Sequence, residues 1–222
     1  MAQDEYIKIL RNETKKAKKR QGIKREISVF SGLFIASFVI LFVVVTWPVL
    51  DKHINFAAEY DHTADADGVN TVCPEAGTVS ETAYICVPKL KLEAPVIIGG
   101  GTEFYDVFED LKRGVVLSPD GAYPGELGNV FVTGHSNDYP WRQGDYKTIF
   151  ALLGKLEHGD AMYLYYDEQR FKYTVYESFQ VYPAETWVMD NNPDESIVSL
   201  MTCWPPTTTW KRLIVRGRLQ KE

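Results

Sequence analysis

The sequence predicts a mainly β domain, a closed or nearly closed barrel with a few short helices, preceded by one transmembrane helix. Two observations carry this reading. No charged residue occurs from Ile27 to Leu50, and from Tyr84 onward short strand-like runs alternate with turns. Many short strands with few helices close most readily into a barrel. A chain of 222 residues accommodates one such domain with an anchor.

The N-terminal segment comes first in the chain and sets topology. Residues 1–26 hold nine Lys or Arg against four acids, a net of +5, so the overall charge of -6 leaves -11 for the rest. The run that follows, ISVFSGLFIASFVILFVVVTWPVL, is long enough at 1.5 Å per residue to cross a hydrocarbon core of about 30 Å. Trp47 lies near its outer end, where interfacial aromatics are common. Positive charge stays on the cytoplasmic side. A single-pass cell-membrane protein is therefore expected: a basic cytoplasmic segment at 1–26, a transmembrane helix at 27–50, and everything beyond outside the cell. A cleaved signal peptide would have a shorter apolar core and an A-x-A-like site, and neither is found. The basic head is then a topology signal resting on membrane lipid, and no nucleic acid is called for.

Residues 51–83 read as a polar extracellular linker. Asp61, Asp65, Asp67 and Gly68 have the look of a calcium loop, but Pro74 stands where an EF-hand needs its Glu. No metal and no cofactor are expected. Cys73 and Cys86 flank a loop containing Gly77 in a compartment that permits disulfides. They are candidates for a bridge, and the sequence leaves the pairing open. Cys203 is left as an odd thiol, either reactive or buried.

Tyr84–Leu92 and Ala94–Ile98 read as strands bounded by Pro88, Pro95 and the glycines at 99–101. That triplet lacks a phosphate-loop Lys and reads as a turn. Glu103–Leu111 is a short helix candidate, Val115–Leu117 a short strand, and Gly128–Gly134 a β-rich run ending just before His135. Thr148–Leu153 is a second helix candidate and Met162–Tyr166 a strand. Phe171, Tyr173, Val175, Phe179 and Val181 alternate, with Glu177 as the exception, which predicts a half-buried strand over Arg170–Val181. Ser196–Cys203 and Arg212–Leu219 close the list.

The last hairpin carries the chemistry. Cys203 ends one strand and Arg212 opens the next, so an antiparallel pair brings them to one rim of the sheet. Arg216 lies about 13 Å further along at ~3.3 Å per residue. Arg216 and Arg218 are therefore read as solvated. His135 follows a strand directly, whereas His53, His62 and His158 fall at the membrane exit, in the linker and in a turn. A thiol of pKa near 8.5 is only a few per cent thiolate at neutral pH, and an adjacent imidazole can take its proton. The imidazole can later protonate a leaving amine. A guanidinium can stabilise the oxyanion of acyl transfer. The Tyr-rich stretches Tyr139–Tyr146 and Tyr163–Tyr176 read as strand packing rather than substrate contacts.

The local words add a resemblance. V-T-G-H-S at 132–136, L-M-T-C at 200–203, K-R-L-I-V-R-G at 211–217 and P-K-L-K-L-E-A-P-V at 88–96 together resemble the sortase family across about residues 84–219. The resemblance implies an eight-stranded sortase-type β-barrel over residues 84–222, with His135, Cys203 and Arg212 catalytic and Thr202 lining the substrate site. It implies a cysteine transpeptidase that cleaves a Leu-Pro-x-Thr-Gly-like sorting signal on a surface protein. The acyl group would pass through a thioester at Cys203 to an amine of a cell-wall precursor or a pilin lysine. Ser199 and the stiff Trp204-Pro205-Pro206 depart from the family's pattern, and no Asp-Pro-aromatic lid word occurs in the linker. Two other readings stand beside it: a hydrolytic extracellular cysteine peptidase, and a membrane-anchored β-barrel binding module with an inert Cys203.

Overall fold

A computed structural model of the chain describes residues 2–59, 73–99, 104–191 and 193–220. The linker words at 61–68, with His62, and most of the glycine triplet at 99–101 lie outside them. Two compact units are present, residues 1–46 and 47–222.

The N-terminal apolar run lies within one helix, α1 (Ala2–Glu59), in which Val29–Ala58 is long and apolar enough to cross a membrane, with a mean hydropathy of 2.7 over its most apolar 18 residues. The linker expected from residue 51 therefore begins as helix. The end of α1, from Trp47 onward, belongs to the second unit. There Val49 is buried, Phe56 packs on the barrel core, and the Lys52 ammonium donates to the Thr148 carbonyl at 2.8 Å.

Eight strands close into a barrel: β1 (Ala83–Val87), β2 (Leu92–Ile98), β3 (Val115–Leu117), β4 (Gly128–Thr133), β5 (Ala161–Tyr166), β6 (Gln169–Val181), β7 (Ser196–Trp204) and β8 (Lys211–Leu219). Around the barrel they run β1-β2-β3-β4-β7-β8-β6-β5, and β5 returns to β1. β2 with β3 and β4 with β7 are parallel, and the other pairs are antiparallel. Closure removes every free edge. A helix α2 (Phe104–Asp110) precedes β3. The inside is filled by alternate residues such as Ile85, Val132, Phe150, Leu164, Leu200 and Val215.

Three expectations need correction. Tyr84–Leu92 is not one strand, because Pro88 opens a 3-10 turn and Lys91 (φ 48) reverses the chain in the left-handed region. Thr148–Leu153 is not a helix but a series of turns running into the 3-10 turn Leu153–Lys155. In β6 the pairing with β8 shifts between Val175 and Glu177. That bulge moves the following residues to the other face. Tyr173 and Val175 point into the barrel core, while Phe179 and Val181 join a second apolar cluster with Phe131, Val188 and Ile214. Glu177 breaks the apolar pattern because the strand changes faces there.

Cys73 and Cys86 are joined by a disulfide with Cα atoms 5.9 Å apart, tying the segment before β1 to the sheet. Cys203 is the remaining free thiol.

Candidate active site

Register brings the site together. Cys203 on β7 pairs directly with Arg212 on β8, and directly opposed residues project from the same face. The alternation along β7 sends Val198, Leu200 and Thr202 inward and leaves Ser199, Met201 and Cys203 outside. On β8 it turns Leu213 and Val215 inward and puts Arg212, Ile214 and Arg216 outside. Both candidate side chains thus sit on the outer wall of the barrel, at its rim.

His135 arrives by the parallel pairing of β4 with β7. Thr133 pairs with Met201, and the Gly134 amide donates to the Met201 carbonyl at 3.1 Å. His135 lies two residues beyond Thr133 as Cys203 lies two beyond Met201, so the two follow adjacent positions of the paired strands. Gly134 is required where it stands. A Cβ there would lie 2.6 Å from the Phe150 ring. Phe150 in turn donates its amide to the His135 carbonyl at 2.9 Å. The glycine before the histidine, visible in the sequence, is the clearance that lets Phe150 hold the next residue.

Three further residues surround the imidazole, and sequence reading passed over all of them. The Phe108 ring of α2 lies 6.1 Å away, centroid to centroid. Burial pushes the His135 pKa below its ordinary value; the Asp138 carboxylate pulls it back up, and the Arg142 guanidinium pushes it down. Asp138 and Arg142 form an ion pair at 3.2 Å, so the two opposed influences are tied to each other. The i+3 spacing of Asp138 from His135 was the available signal.

Thr202 is 1% exposed, and its hydroxyl donates to the Gly134 carbonyl at 2.8 Å. The expectation that it lines the substrate site does not match this placement on the inward face. Its position bridges the strand end that bears Cys203 to the residue before His135. Arg212 is half-buried, and its Nη1 donates to the carbonyl of Thr209, in the loop that follows β7, at 3.2 Å and to that of Lys211, at the start of β8, at 3.1 Å.

Arg216 is not solvated as expected. Its side chain is 14% exposed. It donates to Ser199 Oγ, Glu177 Oε1 and the Val188 carbonyl, each at 3.2 Å. It also lies 5.2 and 5.6 Å from the rings of Phe179 and Trp187, which are themselves stacked. This one side chain fastens the 3-10 turn Thr186–Met189 onto the wall that carries Cys203. The sequence could not show it, because its partners come from distant segments. Arg218 pairs with Glu195 and lies over Tyr176, while remaining half exposed.

A family model described as a sortase domain matches residues 85–220. The chain is 27% identical over 148 residues to Sortase D of Bacillus subtilis, an alignment covering 65% of this chain and 66% of that protein. It is 35% identical over 94 residues to Sortase A of Listeria monocytogenes, covering 42% and 39%. The chain thus spans from about two fifths to just under two thirds of these relatives' own lengths. Among solved structures, Listeria monocytogenes sortase A superposes with a TM-score of 0.51 at 27% identity, covering 64% of this chain and 89% of that one. Sortase A from Corynebacterium diphtheriae gives a TM-score of 0.53 at 24% identity, covering 64% and 61%, a likeness of fold.

Proposed function

The chain belongs to the sortase family, and from that premise we propose that it is a cysteine transpeptidase acting at the outer face of a membrane. The observation that carries the proposal is the register pairing of Cys203 with Arg212, at the end of a strand whose parallel neighbour β4 runs out just before His135.

The roles follow from the chemistry of the three groups. His135, whose pKa burial lowers, takes the Cys203 proton. The thiolate attacks the carbonyl carbon of the scissile amide in a Leu-Pro-x-Thr-Gly-like signal, forming the C–S bond. Negative charge passes to the carbonyl oxygen. Arg212, one nitrogen of which is held by the Thr209 and Lys211 carbonyls, donates to that oxygen or to the peptide beside it. As the C–N bond breaks, the imidazolium returns its proton to the leaving amine. A second amine, from a cell-wall precursor or a pilin lysine, then attacks the thioester and restores the thiol. Thr202 acts here as a positioning residue, since its bond to Gly134 fixes the spacing of the two strand ends.

The test uses the full chain with a sorting-signal peptide and an added amine. Mass spectrometry should find the acyl group on Cys203 and an amine-ligated product, and Cys203→Ala should abolish both. Hydrolysis alone in the presence of excess amine would make the protein a peptidase. Turnover retained by Cys203→Ala would reject the assignment.

A further inference from the structure

The Tyr-rich stretch that begins at Tyr139 lies in no strand. It continues the loop that starts at His135, and that loop holds a cation. The Arg142 guanidinium sits 3.2 Å from Asp138 Oδ1 and 5.3 Å from the centre of the Tyr139 ring. The two groups around it are anchored. Asp138 Oδ1 also accepts from the Tyr139 amide at 2.8 Å, and the Asp138 side chain is 11% exposed. The Tyr139 ring is stacked on Trp141, with centroids 4.8 Å apart. The cation itself is the loose member, 48% exposed at the end of a long stem. Lys147, the next cation along the loop, is turned to the Pro140 carbonyl at 3.0 Å.

This arrangement lies beside the base of the reaction. Asp138 is three residues after His135, and both charges of the ion pair are felt at the imidazole. The stretch between them is short of donors, for Asn137 Oδ1 is buried with no hydrogen-bond partner among the described residues. A primary amine has a pKa near 10.4 and reaches an enzyme at neutral pH as an ammonium, a compact cation with three N–H donors. It attacks only after losing a proton. An enzyme that uses an amine as nucleophile therefore has to hold an ammonium close to its base. A carboxylate and an aromatic face suit that cation, by ion pairing and by attraction to the ring quadrupole.

We propose that Asp138 and the Tyr139 ring form the subsite for the incoming amine, which binds as an ammonium in the place that Arg142 now fills. The proposal rests on the transpeptidase reading above and deepens it. Arg142 is the resident cation, displaced when the acceptor arrives. In the second half-reaction the ammonium gives one proton to His135, and its nitrogen attacks the thioester carbon. The C–N bond forms, and the C–S bond breaks with its electron pair on sulfur. A second proton passes from nitrogen to that thiolate, the third stays on the new amide, and the imidazolium releases its proton to water.

The test uses the full chain in detergent with a sorting peptide at pH 8, where free imidazole is neutral and a lysine side chain is still an ammonium. The ratio of ligated to hydrolysed product is measured against the concentration of Nα-acetyl-lysine amide and, separately, of hydroxylamine, which is uncharged at this pH. Both products come from one acyl-enzyme, so the ratio does not depend on how fast that intermediate forms. Asp138→Asn should raise the half-saturating lysine concentration about tenfold, and Asp138→Glu should recover most of the loss. Tyr139→Leu should raise it about two- to fivefold. Arg142→Gln should lower it about two- to fivefold, because the competing cation is gone. The hydroxylamine ratio should follow the parent in all four variants. Lysine and hydroxylamine ratios that shift together would place the effect on His135 alone and overturn the subsite. Shifts of the same sign in Asp138→Asn and Arg142→Gln, or no shift in Asp138→Asn, would overturn it too, leaving the ion pair as a brace for the loop. Absence of any acyl-enzyme on Cys203 in the parent would instead sink the transpeptidase reading, and the subsite with it.

Discussion

Arg216→Ala tests how the wall beside Cys203 is held. The substitution removes three charge-assisted hydrogen bonds and a cation lying against two rings. Glu177 is partly exposed and can turn to water, so its loss costs little. Ser199 is fully buried, and its hydroxyl loses a partner, while the Val188 carbonyl keeps the bond it accepts from Asn129 Nδ2. A buried polar group left without its partner costs about 1–3 kcal/mol. The lost cation–π contact adds roughly 1 kcal/mol. The sum is about 3 kcal/mol, or a fall in Tm of about 6–12 °C for a unit of this size. Thermal unfolding of the full chain in detergent, followed by near-UV circular dichroism, measures it. Arg216→Lys keeps the charge but loses the planar fork and should recover less than half. With the Thr186–Met189 turn released, KM for a sorting peptide should rise while labelling of Cys203 by iodoacetamide is little changed. A Tm within about 2 °C of the parent, or a loss of thiol reactivity matching the loss of turnover, would refute the account of Arg216 as a clamp.

Other perturbations have equally definite expected outcomes. Asp138→Asn should shift the acid limb of the kcat/KM profile to lower pH, because Arg142 then acts unopposed on His135, and Arg142→Gln should shift it higher; equal shifts in one direction would contradict the geometry. Because the folded imidazole resists protonation, the unfolded chain binds more protons below the ordinary histidine pKa of about 6.5. His135 therefore lowers stability as the pH falls through that value toward the folded pKa, a loss that His135→Gln should reduce in unfolding measured from pH 7.5 to 5. Reduction of Cys73–Cys86, which closes a loop with a sequence separation of 13, should cost about 3 kcal/mol, read as a lower Tm in dithiothreitol. Gly134→Ala should displace Phe150 and cut turnover at least tenfold with Cys203 still alkylatable; full activity would show that the clearance is unimportant.

The site was unevenly legible in the sequence, and the pairing geometry explains why. Cys203 and Arg212 are joined by one hairpin, so strand period and a short loop suffice to place them opposite each other. His135 reaches the same rim only through the parallel pairing of β4 with β7, residues nearly seventy apart. Nothing in the local pattern encodes that neighbour. The resemblance supplied what periodicity could not. Arg216 shows the opposite failure. It was read as solvated, as the outer face of an antiparallel strand ordinarily is. Here that face is covered by the Thr186–Met189 turn, which turns an apparent solvent position into a buried crossing point.

The same covering explains the misread alternation of β6. A single period over Phe171–Val181 would put one apolar face against one core. The bulge after Val175 lets one strand serve two, with Tyr173 and Val175 in the barrel and Phe179 and Val181 under the turn. Glu177 marks the crossover, and it is the residue that pairs with Arg216. An exception to a hydrophobic pattern was therefore the one sequence signal that pointed to the second layer. That layer, rather than the barrel alone, builds the wall on which Cys203 is displayed. It follows that substitutions at Phe179, Glu177 or Trp187 should alter how a peptide is held while leaving the strand register of Cys203 and Arg212 intact. The register depends on backbone pairing with β4 and β6, and the wall depends on one guanidinium.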